Sequence, residues 1–175
     1  MDFYIKDFGA VADGKTLNTA AIQAAIDACT KNGGGRVVVS GGTYMTGTII
    51  LKDNVDLHIE ADGVLYGSPN CEDYPELPKK NVVADRCPRH QSASMIYAEA
   101  CENISITGKG KIDGHGEAFI EKVPEGHTYW MPYRRINAPT PPRVVFFAGC
   151  KNILVKDITM TNQPAGWSYW VHDCD

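Results

Sequence analysis

The chain has 175 residues, of which 43% are hydrophobic and 22% are charged, so one globular domain with a substantial core is expected. Its net charge is −4 and its basic residues form no cluster, which argues against nucleic acid as a partner. No segment approaches the roughly 18 apolar residues of a membrane span, so we expect no membrane partner. The first residues lack the pattern of a secretory leader. The protein is therefore predicted to be cytoplasmic, or secreted with its leader already removed.

The N-terminal segment is predicted to cap the rest of the fold. Residues 3–16 have the pattern of a short strand and a turn. A helix follows, for which Asn18 or Thr19 is a suitable N-cap, and the glycine-rich run 32–35 ends it. We expect this helix to cover the open end of a stack of strands. Its apolar stripe consists of Ile22, Ala25, Ile26 and Cys29.

The rest of the chain repeats. Asparagine recurs at a constant 49-residue offset, at Asn54, Asn103 and Asn152, and alternating apolar residues follow each one. Cys101 and Cys150 share this offset, whereas Cys174 follows Cys150 at about half of it. We infer that the true period is half the offset, so that each 49-residue offset covers two repeats. A repeat of this length, made of short strands and turns, predicts an all-β fold of the parallel β-helix (solenoid) type.

The shared register makes two structural predictions. The three asparagines should align at one turn, because Asn tolerates the left-handed region and bonds to neighbouring backbone. The apolar residues of the repeat should stack in one core. These residues are Val37, Val39, Leu57, Ile104, Ile106, Ile153 and Val155.

The predicted organisation is a single domain over residues 1–175, with the cap at 1–35 and four to five coils at 36–175. Proline-rich, charged segments interrupt the repeat at about 67–93 and 117–142, and we interpret them as exposed loop insertions. The last coil breaks off without a second capping element. The expectation is therefore an N-terminal part of a longer protein, truncated at its C-terminal end, which should fold poorly alone or assemble through its open edge.

Cysteine usage indicates buried thiols. Six cysteines occur without metal-type pairing, so no metal site is predicted. Cys101, Cys150 and Cys174 share one repeat position and should be stacked, buried thiols. Cys71 and Cys87 lie in the first insertion and could form a disulfide in an oxidising compartment, which the spacing alone leaves open.

Three polar groups resemble catalytic motifs but are explained more simply as turns or solvated loops. His115 lies between two glycines and could shuttle protons, yet it follows a predicted strand and fits a surface turn. The acidic residues of the first insertion lie among prolines, which favours a solvated loop over a calcium site. Asp173 and Asp175 have the spacing of two carboxylates on one strand face, but their register is that of a turn between coils. We assign no catalytic residue from these patterns.

Aromatic and cationic side chains give the candidates for substrate binding. Aromatic rings on a solenoid face stack against sugar rings, and Arg guanidinium groups bind carboxylates bidentately. Near the end of the sequence, aromatic residues surround a histidine, and a core role and a ligand role both stay open. The second insertion combines flat rings with fixed cations, although a plain surface loop is the simpler explanation. The predicted substrate-binding residues are Trp130, Tyr133, Arg134, Arg135, Trp167 and His172.

Several short motifs, each weak alone, are specific in combination and extend over nearly the whole chain. The N-terminal set comprises Asp7-Phe8-Gly9-Ala10, Asp13-Gly14, the alanine-rich run 20–26, the segment 33–39 and Gly42-Thr43-Tyr44. The later set comprises the segment 47–52, Gly110-Lys111-Ile112-Asp113-Gly114-His115-Gly116, Pro142-Arg143 and Asn162-Gln163-Pro164. The first set resembles the N-terminus of pectin-degrading β-helix enzymes. The second narrows the resemblance to the polygalacturonase family, glycoside hydrolase family 28.

This resemblance implies a right-handed parallel β-helix that hydrolyses α-linked galacturonan or rhamnogalacturonan with inversion and without a cofactor. The implied partner is an acidic, pectin-derived polysaccharide or oligosaccharide. The family's catalytic aspartates lie in an Asn-Thr-Asp motif and a following Asp-Asp pair, and its Gly-His-Gly and Arg-Ile-Lys motifs come later still. None occurs here at the matching place, so His115 is not the family's catalytic histidine. The catalytic set is expected beyond residue 175, and the 175-residue chain itself is expected to be inactive.

Two other functions on the same fold stay open. A pectate lyase would use calcium and a basic residue for β-elimination, although the sequence shows no such set. A non-catalytic β-helix, such as a phage tailspike or an adhesin domain, would only bind glycan.

Overall fold

A computed structural model describes residues 1–77, 93–119, 142–164 and 168–175. These residues form three parallel sheets, which we call sheets A, B and C. Sheet A contains β1 (Asp2–Tyr4), β3 (Gly35–Val39), β6 (Val55–Ile59), β9 (Glu102–Thr107) and β12 (Lys151–Val155). Sheet B contains β2 (Asp13–Leu17), β4 (Gly42–Thr46), β7 (Gly63–Gly67), β10 (Lys111–Asp113) and β13 (Thr159–Thr161). Sheet C contains β5 (Ile49–Ile50), β8 (Ser94–Glu99), β11 (Arg143–Ala148) and β14 (Tyr169–His172).

The chain visits the sheets in a fixed order. From β3 onward each coil contributes one strand to sheet A, one to sheet B and one to sheet C, and each strand pairs in parallel with its equivalent in the next coil. Inward-facing residues of the three sheets form one continuous apolar core. The predicted fold, a right-handed parallel β-helix, is confirmed.

Helix α1 (Thr19–Lys31) occupies the place of a sheet C strand in the first coil. Its predicted stripe is confirmed, because Ile22, Ala25, Ile26 and Cys29 are all completely buried. Its C-terminus has the hydrogen bonds of a Schellman motif, from Gly33 N–H to the Thr30 carbonyl and from Gly34 N–H to the Cys29 carbonyl. Among the described residues, no helix is long and apolar enough to cross a membrane.

The N-cap prediction is only partly correct. Asn18 occupies the N-cap position, but its side chain makes no capping hydrogen bond. Its amide instead accepts from Val11 N–H and donates to the carbonyls of Val11, Thr16 and Met45. Asn18 therefore joins the segment before the helix to sheet B, a role that local spacing does not reveal.

Helix α1 also covers the edge of sheet C. The Gln23 side chain donates to the Ile50 carbonyl at 3.1 Å and accepts from Ile50 N–H at 2.8 Å. The amide thus takes the place of a neighbouring strand and satisfies both backbone groups of Ile50.

The inferred period needs correction. Strands β6, β9 and β12 are direct neighbours in sheet A, so each 49-residue offset covers one coil and not two. Strand β3 precedes β6 by a much shorter stretch of chain, since Gly35 pairs with Val55, and this shorter spacing is that of a coil without an insertion. The 49-residue offset arises because two successive coils carry insertions of similar length.

The asparagine prediction is confirmed. Asn54, Asn103 and Asn152 adopt φ values of 61°, 56° and 53°, and their side chains form a ladder of 2.9 Å hydrogen bonds. The predicted core stack is correct for most members, since Leu57 pairs with Ile106 and Ile106 with Val155. Val155 itself is 37% exposed because β12 is the last strand of sheet A in the described part of the chain.

The cysteine stack is also present. Cys101 and Cys150 are buried, Cys174 is half-buried, and each thiol donates to the carbonyl two residues before it in sequence. Cys87 lies outside the described residues, so the possible Cys71–Cys87 disulfide stays untested. The described start of the first insertion has several exposed residues, but Tyr74 anchors it, since this residue is 4% exposed and donates its hydroxyl to the Ser68 carbonyl at 2.7 Å.

Candidate functional site

The outer face of sheet C aligns side chains of successive coils into two rows, one of four residues and one of three. In the first row Ile50 pairs with Tyr97, Tyr97 with Phe146, and Phe146 with Trp170. The second row lies two residues further along each strand, where Glu99, Ala148 and His172 are in register. Strand periodicity explains both rows, since residues i and i+2 point to the same side. Large apolar side chains thus form a ladder on the side of sheet C that faces away from the core.

The middle of this ladder is closed to solvent. Phe146 is completely buried and Tyr97 is 4% exposed. Their rings are parallel within 2°, with centroids 5.4 Å apart. Ile50, Leu77 and Trp170 pack around this pair as partly buried neighbours. Accessible binding groups on this face therefore lie at the two ends of the ladder.

One end of the ladder is a cavity of about 320 Å³. Its apolar wall is formed by Ile50, Leu77 and the Tyr97 ring, and its charged groups are Lys52 and Glu99. The Tyr97 hydroxyl donates to Glu99 Oε2 at 2.8 Å. Burial, and then the hydrogen bond to the Glu99 carboxylate, raise the pKa of Tyr97 well above its ordinary value. Tyr97 is thus a fixed neutral donor that orients Glu99 toward the cavity rim.

The other end of the ladder combines an aromatic ring with a cation. The Arg143 guanidinium carbon lies 4.5 Å from the centroid of the Trp170 ring, in cation–π geometry. Arg143 is 8% exposed, and Trp170 and His172 are half-buried. This contact fixes the position of the Trp170 ring at the end of the ladder, where the ring is half-buried.

Only one predicted substrate-binding residue can be placed. His172 ends β14 beside Trp170, on the outer face of sheet C. Its proposed role in binding stays a prediction. The other five predicted residues, Trp130, Tyr133, Arg134, Arg135 and Trp167, lie outside the described residues. Sequence reasoning assigned no binding role to Tyr97, Glu99 or Arg143. The 49-residue offset that aligns the cysteines also aligns Tyr97 with Phe146, and this was the available signal.

His115 is held more firmly than a plain surface turn requires. Its Nδ1 lies 2.9 Å from the Gly67 carbonyl, and its ring stacks on Tyr66 with centroids 4.3 Å apart. Its backbone N–H donates to Asp113 Oδ1 at 3.0 Å. Asp113 also accepts from Asn162 and pairs with Lys111 at 2.7 Å.

The electrostatics of this turn favour an ionised carboxylate at Asp113. Burial of the carboxyl acts to raise its pKa, but the Lys111 ammonium, His115 N–H and Asn162 amide together lower it below its ordinary value. These contacts join three successive coils. The turn therefore links successive coils through side-chain contacts.

Asp173 and Asp175 do not form a strand-borne pair. Strand β14 ends at His172, and Asp173 has a φ of 52°, in the left-handed region of a turn. Asp175 N–H donates to the Cys150 carbonyl at 3.0 Å. Both residues therefore lie where one coil passes into the next, as their register predicted.

The described lining of the sheet C cavity does not contain a pair of acids. Glu99 is the one carboxylate among the residues that line the cavity. Inverting hydrolysis needs two carboxyl groups roughly 6.5–9.5 Å apart, one to protonate the leaving oxygen and one to activate water. The chemistry that this geometry supports by itself is recognition of a ring with polar and anionic substituents.

Comparisons with known proteins agree with this architecture. The family described as Rhamnogalacturonase A/epimerase, pectate lyase-like, matches residues 3–72. The exo-poly-alpha-D-galacturonosidase of Dickeya chrysanthemi is 39% identical over 120 residues, which are 64% of this chain and 19% of that protein. A protein from Vitis vinifera named "Probable polygalacturonase" is 29% identical over 166 residues, which are 91% of this chain and 32% of that protein.

A solved structure of a polygalacturonase is also similar to this chain. The hyperthermoactive exopolygalacturonase of Thermotoga maritima superposes with a TM-score of 0.71 and 26% identity, over 94% of this chain and 42% of that chain. The chain is polygalacturonase-like in sequence and in fold. It spans 19% and 32% of the lengths of the two relatives in sequence.

Proposed function

We propose that this protein serves the hydrolysis of α-glycosidic bonds in pectin-type galacturonan, with the outer face of sheet C as its polysaccharide-binding surface. The observation that carries the proposal is the extent of the similarity. It covers 91% of the chain in the Vitis vinifera relative and 94% in the Thermotoga maritima structure, well beyond the cap. If the similarity were confined to the cap, it would support the fold but would not support this function.

The residues at the two ends of the ladder suit an acidic sugar. Trp170, held by Arg143, offers a flat apolar surface to a pyranose ring. At the other end, Lys52 supplies a cation for a uronate carboxylate, although Asp27 already lies 2.7 Å from its ammonium. Glu99 can accept hydrogen bonds from sugar hydroxyls. These groups bind and orient the substrate.

The proton transfers need carboxylates that the described part of this face does not supply. One acid must protonate the glycosidic oxygen and another must activate water from the opposite side of the ring. We expect the residues that do this to lie beyond residue 175. The 175-residue chain should therefore bind oligogalacturonate without turning it over.

Titration with trigalacturonate, followed by tryptophan fluorescence, tests the binding surface. We expect saturable binding that Trp170→Ala weakens by about tenfold, since sugar–aromatic stacking contributes on the order of 1 kcal/mol. Leu154→Ala, on the outer face of sheet A, is the matched control and should leave the affinity unchanged. Equal affinity for a neutral trisaccharide, or an unaffected Trp170→Ala variant, would contradict the proposal.

A reducing-sugar assay on polygalacturonate, run with calcium and with a chelator, tests the reaction. No turnover is expected from the 175-residue chain in either condition. Release of an unsaturated product only with calcium would favour the pectate lyase alternative.

A further inference from the structure

The outer face of sheet A carries a second cavity, of about 370 Å³, which we call the sheet A pocket. It lies where β6 and β9 turn toward sheet B, and the function proposed above makes no use of it. Its volume is within the range of small-molecule sites, roughly 300–1,000 Å³. The side chains and turns that line it are His58, Glu60, Ala61, Thr107, Gly108, Lys109, Lys156 and Asp157.

A hydrogen-bond relay fixes the His58 ring in this pocket. The Thr107 hydroxyl lies 2.8 and 3.0 Å from the two carboxylate oxygens of Asp56, so it donates its single proton there. His58 Nδ1 lies 2.7 Å from the same Thr107 oxygen, which can then only accept. Nδ1 of a neutral His58 must carry the hydrogen.

The consequence of this tautomer is an acceptor at Nε2. Neutral imidazole has one donor and one acceptor nitrogen, and Nδ1 is the donor here. Ser105 donates to Asp56 at 2.7 Å and Arg36 lies 3.4 Å from its other oxygen, so the carboxylate that anchors the relay is itself fixed. His58 is half-buried among the residues of the pocket.

Two cations and two carboxylates line the same pocket as His58. Lys109, Lys156, Glu60 and Asp157 are all exposed, and no ion pair in the described part of the chain involves them. A phosphate or sulfate would meet repulsion from two carboxylates. A single sugar carboxylate can pair with the lysines, while sugar hydroxyls donate to the carboxylates and to His58 Nε2.

We propose that the sheet A pocket is a second, non-catalytic site for a uronic acid residue of an anionic oligosaccharide. It lies on a different sheet from the ladder of sheet C, so it would hold a polysaccharide chain away from the surface proposed for hydrolysis. The choice of a uronic acid as the ligand rests on the proposed function, whereas the contacts come from the sheet A pocket alone.

Histidine side-chain NMR separates the two sites in one titration. With ¹⁵N-labelled imidazoles and trigalacturonate as the probe, His58 signals report the sheet A pocket and His172 signals report sheet C. We expect both to shift, with different saturation points, and we expect no shift with a neutral trisaccharide. A His172 shift without a His58 shift overturns the sheet A pocket alone. A His58 shift without a His172 shift supports the pocket and counts against the sheet C surface.

Paired variants test the named contacts. Lys109→Ala with Lys156→Ala should weaken the His58 response by about tenfold, because two charge-assisted hydrogen bonds are lost. Lys15→Ala with Lys151→Ala removes the same charge elsewhere and should leave the response intact. Equal weakening in both double variants would show a general electrostatic effect and overturn the proposal.

The relay has a test of its own. Thr107→Val keeps the β-branched shape but removes the acceptor for Nδ1–H, so the ¹⁵N shifts of His58 should move toward a mixture of tautomers and binding should weaken. Unchanged binding together with a changed tautomer would mean that the relay only stabilises sheet A, and would overturn the proposed site.

Discussion

The outer faces of sheets A and C have the same coil register but opposite chemistry. On sheet A, Asp56 accepts from Ser105 and Thr107 in the next coil, and solvent reaches these groups. On sheet C, Tyr97 stacks on Phe146 in the next coil, and both rings are closed to solvent. Register therefore decides which residues of successive coils meet, while the side-chain type decides whether a face stays open to solvent or becomes a second apolar layer.

Removing a ring from the sheet C ladder should have the largest effect on stability. Phe146→Ala deletes a completely buried side chain and leaves a cavity beside Tyr97, so we expect a loss of about 3–5 kcal/mol in the free energy of unfolding. Urea denaturation measures it. Leu154→Ala is the control on sheet A, where Leu154 is 50% exposed, and should cost less than about 0.5 kcal/mol. Similar losses in the two variants would refute the contrast between the faces.

Breaking the polar network of sheet A should cost less. Asp56→Ala removes the acceptor of two hydroxyl groups and the partner of Arg36, for which we expect about 2 kcal/mol. Solvent can replace part of these bonds because the network is half-exposed. The same urea experiment applies, with Ser105→Ala as a milder control that removes one donor. A loss of unfolding free energy as large as that of Phe146→Ala would mean that solvent reaches the outer face of sheet A as little as that of sheet C.

The asparagine ladder beside sheet A separates backbone strain from hydrogen bonding. Asn103 has a φ of 56° and bonds to both neighbouring asparagines. Asn103→Ala loses these bonds and must hold alanine in the left-handed region, so about 1–2 kcal/mol is expected. Asn103→Gly loses the same bonds without strain and should be less destabilising. Thermal melting of the two variants decides, and equal losses would show that the side-chain hydrogen bonds outweigh backbone strain.

Sequence reasoning succeeded where one coil resembles the next. Alternating apolar residues and recurrent asparagines predicted the stack, because a coil that repeats its shape must repeat the residue at a left-handed turn such as Asn103. It failed on the 49-residue offset, because an insertion of about the length of a coil makes one coil look like two. Where no insertion intervenes, Val145 pairs with Tyr169, which is the shorter spacing that the sequence suggested. Spacing cannot distinguish an inserted loop from a further coil when the two have about the same length.

The candidate site was less predictable than the fold. Sequence reasoning left a core role and a ligand role open for the aromatic residues near the end of the sequence. In the structure one of them, Trp170, packs at the end of the apolar ladder and contacts Arg143. The relay from His58 through Thr107 to Asp56 joins residues of two coils. His58 and Thr107 share the 49-residue offset but not the residue type, so no recurrence marks them. Contacts between unlike residues across coils require the three-dimensional structure.

The smallest predicted effect is the pH dependence of stability that Tyr97, on sheet C, contributes. Burial, and then the hydrogen bond to Glu99, raise the pKa of Tyr97 above its ordinary value near 10. The unfolded chain ionises this tyrosine first, so above pH 10 it binds fewer protons than the folded chain, and stability falls as pH rises. One such group contributes at most about 1.4 kcal/mol per pH unit.

Tyr97→Phe removes this contribution and should make the decline of stability above pH 10 less steep than in the wild-type chain. The other tyrosines titrate in both proteins, so the difference between the two slopes isolates Tyr97. Glu99→Gln keeps the burial of Tyr97 but removes the neighbouring charge, so an intermediate slope is expected. Urea denaturation at several pH values between 9 and 11 provides the slopes. Parallel slopes for Tyr97→Phe and wild type would mean that solvent reaches the Tyr97 hydroxyl, and that the sheet C ladder is as open as the polar face of sheet A.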